Sequence, residues 1–382
     1  MQIKQLSPAP KILFFITEDW YFCSHRLSLA IAAKDAGYDV AVLTRVQNHE
    51  PIITNAGLRL IPSTMVRRSQ NPFHEVSFIK QLAGVYQKEK PDILHHVALK
   101  PVLYGSIAAR LAGCRNVVNA MAGMGFVFTS NTIKARILRP LVSISYRMLL
   151  NRPNHRLILQ NRDDVALFTD SHLIESGKIA LIRGAGVDTT EFSPGPEVAG
   201  PPTIVMASRL LWDKGVGEFV KAAKILRREG LEARFVLVGD SDPENPAAIS
   251  YSQIDEWIAE GDIEWWGYHN DMQSVFLKAN IVCLPSYREG LPKVLLEAAS
   301  CGKPIVATDV PGCREIVRHC KNGLLVPPKK PAALAEALKT LILDSDLCQR
   351  MGATGRKIVE KEFSQEIVIE KTLALYREML AR

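Results

Sequence analysis

The sequence predicts an α/β protein with two doubly wound parallel-sheet domains. Short apolar runs alternate with amphipathic segments along nearly the whole chain. The alternation stops once, at a Pro/Gly-rich stretch near the middle. And 382 residues exceed what one ordinary core organises.

In the first half the strand-like runs are Lys11–Ile16, Asp39–Thr44, Asp92–His96, Asn116–Ala120 and Arg156–Leu159. Arg26–Asp35 and Phe78–Lys88 carry apolar residues at three and four spacing and read as helices. Residues 186–202 hold four prolines and three glycines, which is linker chemistry. Beyond it Thr203–Met206, Ala233–Val238, Ile263–Trp266, Ile281–Leu284 and Pro304–Ala307 read as buried strands. Gly217–Arg228, Met272–Lys278, Val294–Ser300 and Pro331–Leu343 read as helices. The expected organisation is a domain over 1–186, a linker over 187–202 and a second domain over 203–364. Ligands of such sheets bind outside the carboxyl ends of the strands, so a cleft between facing domains is the expected site.

Composition narrows the function. At 47% hydrophobic and 23% charged residues the chain is globular, and no apolar run reaches the length of a membrane-spanning helix. Ile12–Ile16 is too short for a secretory core and lacks a small-residue cleavage site, so a cytosolic protein is expected. Seven scattered cysteines without metal-ligand spacing read as reduced, packed thiols. Residues 1–186 carry 23 Lys and Arg against 12 Asp and Glu, while the remainder is net acidic. That basic half suits an anionic membrane or acidic substrate. Nucleic acid is disfavoured, because no binding motif or aromatic interleaving accompanies the charge. Ile133–Arg156 concentrates Lys134, Arg136, Arg139, Arg147, Arg152 and Arg156 among apolar residues, a pattern that fits an anionic bilayer surface or a core-packed helix with a solvated basic side. Arg67 and Arg68 could extend the same face.

Two segments carry chemistry. Residues 286–299 follow the strand Ile281–Leu284 and open a helix near Val294. Glu289 lies in the loop. Glu297 lies one turn into the helix, where a carboxylate can accept two hydrogen bonds from a diol. Gly290, Leu291 and Pro292 bring backbone N–H groups and a helix N-terminus to the same place, favourable for phosphate or sugar oxygens. Ala207–Gly215, after the first strand of the second half, holds Arg209 and Lys214, which could converge on one anionic group such as a diphosphate leaving group. Asp240 and Asp242 form a DxD pair at a strand end, which raises metal binding as an alternative to a structural turn.

With those motifs, the second half resembles the GT-B glycosyltransferases of the large retaining family four. Ser208-Arg-Leu with Lys214-Gly is similar to the family's basic diphosphate motif, Phe235–Asp240 to its strand ending in Val-Gly-Asp, and Glu289/Glu297 to its E-x7-E signature. Asp309–Glu315 and Asn322–Pro327 resemble its last landmarks, and Gly186-Val-Asp with Phe192-Ser-Pro its interdomain linker. The resemblance implies two Rossmann-like domains facing a central cleft, a nucleotide-sugar donor held mainly by the second, and an acceptor by the first. It implies no metal or other cofactor, and a C-terminal helix over 365–381 that returns to the first domain. By similarity Glu289 contacts the donor sugar, Glu297 the ribose, and Arg209 with Lys214 the diphosphate. Tyr268, after Gly267, lies against the nucleobase. Lys293 could read a substituent of the sugar or stand exposed.

The first half departs from the general family. The loop after its first strand reads Thr17–Leu27 in place of a Gly-Gly turn, and Asn119–Phe128 lacks the family's histidine. With His96–Gly105 these variants resemble the branch that builds bacterial surface polysaccharide or lipid-linked oligosaccharide on polyprenyl-diphosphate carriers, often using N-acetylated hexosamines. Glu18, His25, Lys100, Gly123 and Gly125 are the acceptor-side candidates for the missing role, a packing or capping role standing beside the catalytic one for His25. The reading implied is a metal-independent, retaining hexosyltransferase. It uses a nucleoside-diphosphate sugar, UDP-linked by expectation, and a polyprenyl-diphosphate-linked glycan acceptor. It works in the cytoplasm, peripherally on the inner face of the membrane. A GT-B nucleotide-sugar 2-epimerase and a non-catalytic carbohydrate-binding protein are the alternatives.

Overall fold

The computed structural model describes residues 9–65, 72–121, 123, 133–196, 200–243 and 245–381. They form two compact units. One comprises the chain up to Ala185 together with Val368 onward, and the other is Gly186–Ile367.

The first unit runs β1 (Lys11–Glu18), α1 (Asp19–His25), α2 (Leu27–Asp35), β2 (Asp39–Arg45), α3 (Glu50–Asn55), β3 (Arg59–Pro62), α4 (Pro72–Glu89), β4 (Ile93–Val97), α5 (Leu99–Ala112), β5 (Val117–Ala120), α6 (Ile133–Leu150), β6 (His155–Leu159), α7 (Arg162–Asp170) and β7 (Ile179–Leu181). The second runs β8 (Thr203–Ala207), α8 (Val216–Arg228), β9 (Arg234–Val238), α9 (Tyr251–Ala259), β10 (Glu264–Trp265), α10 (Met272–Leu277), β11 (Ile281–Leu284), α11 (Lys293–Ser300), β12 (Ile305–Thr308), α12 (Pro311–Ile316), β13 (Gly323–Val326), α13 (Pro331–Leu343) and α14 (Ser345–Glu362). The last helix, α15 (Gln365–Leu380), begins in the second unit and ends in the first.

Both sheets are parallel. Their orders are β3-β2-β1-β4-β5-β6-β7 and β10-β9-β8-β11-β12-β13. Each therefore reverses direction of growth beside its first strand, between β1 and β4 and between β8 and β11, which is where doubly wound sheets open a crevice for ligands. Alternation along each central strand supplies both faces. Ile12, Phe14 and Ile16 of β1 pack with α2 and with Val368, Leu373 and Tyr376 of α15, while Leu13 and Phe15 pack with α4 and α5. In β8, Val205 and Ala207 face α11 and α14, and Ile204 and Met206 face α8 and α13. Phe14 is fully buried, so truncating it to Ala would cost about 3–5 kcal/mol.

Several elements differ from the sequence reading. The segment before Leu27 is not loop. It forms α1, and Arg26 leaves helical geometry between α1 and α2. Of its aromatic cluster only Phe22 joins the core as a fully buried ring, so the cluster has no helical repeat to read. Strands β3 and β7 lack a buried apolar run, being only partly buried. Arg67, Arg68 and Gly125 lie outside the described residues, as does the side chain of Lys134.

Candidate active site

In the second unit the chemistry-bearing residues gather on the loops that leave β8 and β11, the two strands flanking the reversal. After β8 the chain is tied to the β9 loop by Ser208 N–H to Val238 O (3.0 Å) and Leu210 N–H to Asp240 O (2.9 Å). It closes in a short 3-10 turn over Trp212–Lys214. Two glycines permit this. Gly239 (φ 125°) lies so close that a Cβ there would meet Ser208 O at 1.9 Å. Gly215 (φ 80°) ends the turn where a Cβ would meet Pro285 O at 2.2 Å. The β8 and β11 loops thus touch backbone to backbone, and Tyr287 N–H donates to Asp213 O at 2.9 Å.

This contact places Lys214 beside Glu289. Lys214 Nζ lies 2.6 Å from Glu289 Oε1, and the buried Ser286 hydroxyl donates to the same oxygen at 2.7 Å. Ser286 is itself fixed, its carbonyl accepting the Thr308 hydroxyl from the end of β12. Among the described residues no hydrogen bond reaches Glu289 Oε2, so the carboxylate is anchored through one oxygen and presents the other. The next loop supports its backbone, with Gly312 N–H donating to Glu289 O at 3.2 Å. Glu297 is buried one turn into α11, its Oε1 3.0 Å from Lys293 Nζ across an i,i+4 spacing. α11 starts at Pro292 without a side-chain cap, so its first turn keeps donor capacity on the same edge of the sheet. Leu291 packs against the core and Pro292 is buried, which fixes the loop directly after Gly290.

Arg209 and Lys214 each have a carboxylate partner of their own. Arg209 Nη1 pairs with Asp242 at 3.1 Å, and Lys214 is drawn to Glu289. The loop after β9 brings Asp242 to Arg209, an approach that spacing along the chain cannot show. Asp240 instead accepts from the Tyr251 hydroxyl and from Ser241 N–H, each at 2.8 Å, so the two carboxylates of the DxD pair serve separate contacts. Lys293 is likewise not an independent exposed cation, since it pairs with Glu297. Tyr268 follows Gly267 (φ 73°) beyond β10 and is 69% exposed, while Gly267 O accepts from Gly239 N–H at 2.8 Å.

In the first unit, the register Ile16 to Val97 puts Glu18 and Lys100 on one edge of the sheet beside its reversal. Glu18 ends β1, buried, 4.0 Å from Arg45. Lys100 opens α5 and binds Glu75 at 3.1 Å, with the Tyr104 ring 5.6 Å away. His25 lies at the end of α1 and stacks on Tyr21 at 4.2 Å, a packing contact. Gly123 follows β5 with no heavy atom of the described residues within 4 Å of where a Cβ would stand. Ala98, between β4 and α5, holds φ 79° and ψ 165°, a conformation that non-glycine residues occupy only under constraint.

Sequence reasoning missed three groups here. Asp19 is fully buried and accepts N–H bonds from Gln47 (2.7 Å), His49 (3.0 Å) and Trp20 (2.7 Å). Burial pushes its carboxyl up, but these donors outweigh it and hold it below the usual range. His96, Asn119, Ser106 and Tyr86 form a buried polar network in which His96 Nδ1 meets Asn119 Oδ1 at 2.9 Å and Nε2 meets Tyr86 OH at 3.1 Å. Burial depresses His96 to about 3, so it is neutral and enclosed. Ser286, three residues before Glu289, is the third. A polar residue within two positions of the end of a buried strand is the signal that could have found Asp19 and Ser286 alike.

Two doubly wound parallel-sheet units, the second carrying a lysine–carboxylate pair at its reversal, define the GT-B class. Within that class, residues 11–159 match the family model described as glycosyl transferase 4-like, and residues 188–358 match glycosyl transferases group 1. The chain thus carries a glycosyl transferase 4-like domain followed by a group 1 glycosyltransferase domain, and it is a hexosyltransferase. It is 28% identical to the Campylobacter jejuni N,N'-diacetylbacillosaminyl-diphospho-undecaprenol alpha-1,3-N-acetylgalactosaminyltransferase, over 92% of this chain and 94% of that protein. It is 27% identical to the Escherichia coli UDP-Gal:alpha-D-GlcNAc-diphosphoundecaprenol alpha-1,3-galactosyltransferase, over 79% and 80%. Among solved structures, Anabaena HepE in complex with UDP and glucose shares the fold at TM-score 0.75 and 18% identity, covering 96% of this chain and 99% of that one.

Proposed function

We propose that this enzyme moves a hexosyl group, an N-acetylated hexosamine in the first instance, from a UDP-sugar to a hydroxyl of a polyprenyl-diphosphate-linked glycan, with retention of anomeric configuration, in bacterial surface glycan assembly. The observation that carries the reading is the joining of Lys214, Glu289 and Ser286 where the β8 and β11 loops touch. Undecaprenyl-diphosphate acceptors in the names of two relatives support the acceptor class, and UDP in a protein of the same fold supports the donor.

In this reading Glu289 presents Oε2 to the donor sugar while Oε1 stays with Ser286, and Glu297 receives the ribose diol. Lys214, released from Glu289 toward the diphosphate, neutralises charge that builds as the bond from the anomeric carbon to the diphosphate breaks. Arg209 and the α11 N-terminus add to that field without a metal ion. Lys293 and the Gly290-Leu291-Pro292 segment border the sugar, and Tyr268 offers a ring to the nucleobase. Neither Glu289 nor Glu297 acts as a covalent nucleophile. Rate enhancement comes from orientation and charge stabilisation. The first unit binds the acceptor, with Glu18 and Lys100 at its sheet reversal and Gly123 in the adjoining loop. No helix among the described residues is long and apolar enough to cross a membrane.

Incubation with labelled UDP-sugars, with and without a polyprenyl-diphosphate-linked sugar, tests this. The expected result is acceptor-dependent transfer and an axial anomeric linkage by NMR from an axial donor. Epimerised nucleotide sugar formed without acceptor would establish the 2-epimerase alternative, and binding without turnover would overturn the catalytic reading.

A further inference from the structure

α6 is apolar on both sides. Its inner side is ordinary: Tyr146 and Leu150 are buried against Leu157, Leu159 and Phe168, with Val142 packed alongside. Its outer side is not. Leu141, Ile144 and Met148, spaced to share one helical stripe, are 64%, 54% and 61% exposed. Exposed Arg136 and Arg147 border the stripe, Arg147 held in place by the carbonyls of Ser171 (3.1 Å) and His172 (3.0 Å). The helix contains four basic residues and no acidic one.

A soluble surface helix ordinarily places charge at the centre of its outward face. Here the centre is apolar and the cations lie beside it, the arrangement of a helix that settles into the headgroup layer with its cations at the phosphates. We infer that the outward face of α6 docks on an anionic phospholipid bilayer. Charge decides between this and a second copy of the chain. Two α6 faces brought together would oppose arginine to arginine with no carboxylate on either helix, whereas an anionic bilayer satisfies both the cations and the apolar stripe. The unit that carries α6 also holds the excess of basic over acidic residues. The inference rests on the reading of the acceptor as lipid-linked, and it gives that reading an orientation: the acceptor-binding unit meets the membrane along α6.

The test is co-sedimentation of the full-length protein with phosphatidylglycerol vesicles and with phosphatidylcholine vesicles. Wild type should favour the anionic vesicles. Leu141→Ser/Ile144→Ser/Met148→Ser and, separately, Arg136→Glu should each lower that binding by about tenfold, with unchanged circular dichroism. Transfer to a detergent-solubilised acceptor should be unchanged in both, since none of these residues belongs to the donor or acceptor machinery. Equal binding to both vesicle types overturns the inference, and so does wild-type binding by the triple variant. So too does a wild-type dimer that the triple variant renders monomeric, because the face would then belong to a second copy. Sound vesicle binding without sugar transfer to any acceptor would instead overturn the functional reading. Sound transfer in detergent without vesicle binding would overturn only this one.

Discussion

The two units share a strand order and use it differently. At its reversal the second sheet sets charged side chains opposite one another, Lys214 with Glu289 on loops fixed by backbone contacts and, close by, Lys293 with Glu297 in α11. The first sheet buries neutral polar groups on its central strands: His95 contacts the Tyr376 hydroxyl of α15, and His96 belongs to the Asn119 network. One topology therefore serves as a rigid charge holder in one unit and as an enclosed hydrogen-bonded scaffold in the other. Charge that stays at an edge can be exchanged for ligand charge, while neutral groups sealed in a core can only hold shape.

The largest expected difference is in acid. Burial lowers His96 to about 3 and His155 to about 4, against 6.5 for the free group. A depressed folded-state value means that the unfolded chain takes up the proton first. The stabilisation is complete above 6.5 and is lost as pH falls toward the folded values. Each histidine should remove about 1.4 kcal/mol per pH unit over that window. Urea midpoints across it should fall steeply in wild type and less steeply in His96→Gln/His155→Gln. Equal slopes would show that the scaffold of the first unit is not the acid-labile part.

In the second unit, Lys214→Ala should reduce turnover about 10²–10³-fold and donor affinity much less. Single-turnover kinetics beside equilibrium UDP binding separate the two, and near-wild-type turnover would refute the charge-holder role. Ser286→Ala should cost about tenfold in kcat/KM by loosening Glu289, with Ser286→Thr restoring most of it. An unchanged pH profile in the alanine variant would argue that Ser286 only packs. Arg209→Ala should cost less than Lys214→Ala, because its half-exposed pair with Asp242 is screened by solvent. The smallest effect is in the first unit. Ala98→Gly should leave stability level or raise it by up to about 1 kcal/mol, since relief of the φ 79° conformation is offset by glycine's entropy in the unfolded chain. A loss of several-fold in acceptor KM from that change would mark the β4–α5 turn as part of the acceptor site.

Much of this was legible in the sequence. β11 and the start of α11 could be placed because a fully apolar run followed by Gly-Leu-Pro and a helical repeat leaves little choice, and Glu289 and Glu297 were found from that context. β3 and β7 were not, because partly buried strands lack a continuous apolar run. α1 was hidden for a related reason: of Trp20, Tyr21 and Phe22 only Phe22 is fully buried in the core, so the segment shows no period.

The sequence by itself determined the alternation of strand and helix, the single Pro/Gly break, and the residue types available at each strand end. Those follow from local spacing and from the conformational limits of proline and glycine. Only the tertiary structure decided which charges meet. Lys214 and Glu289 stand 75 positions apart, and Arg209 finds Asp242 across 33. Such pairings depend on how close two loops come, set here by glycines at 215 and 239 pressed against neighbouring carbonyls, and no pattern along one segment records that distance.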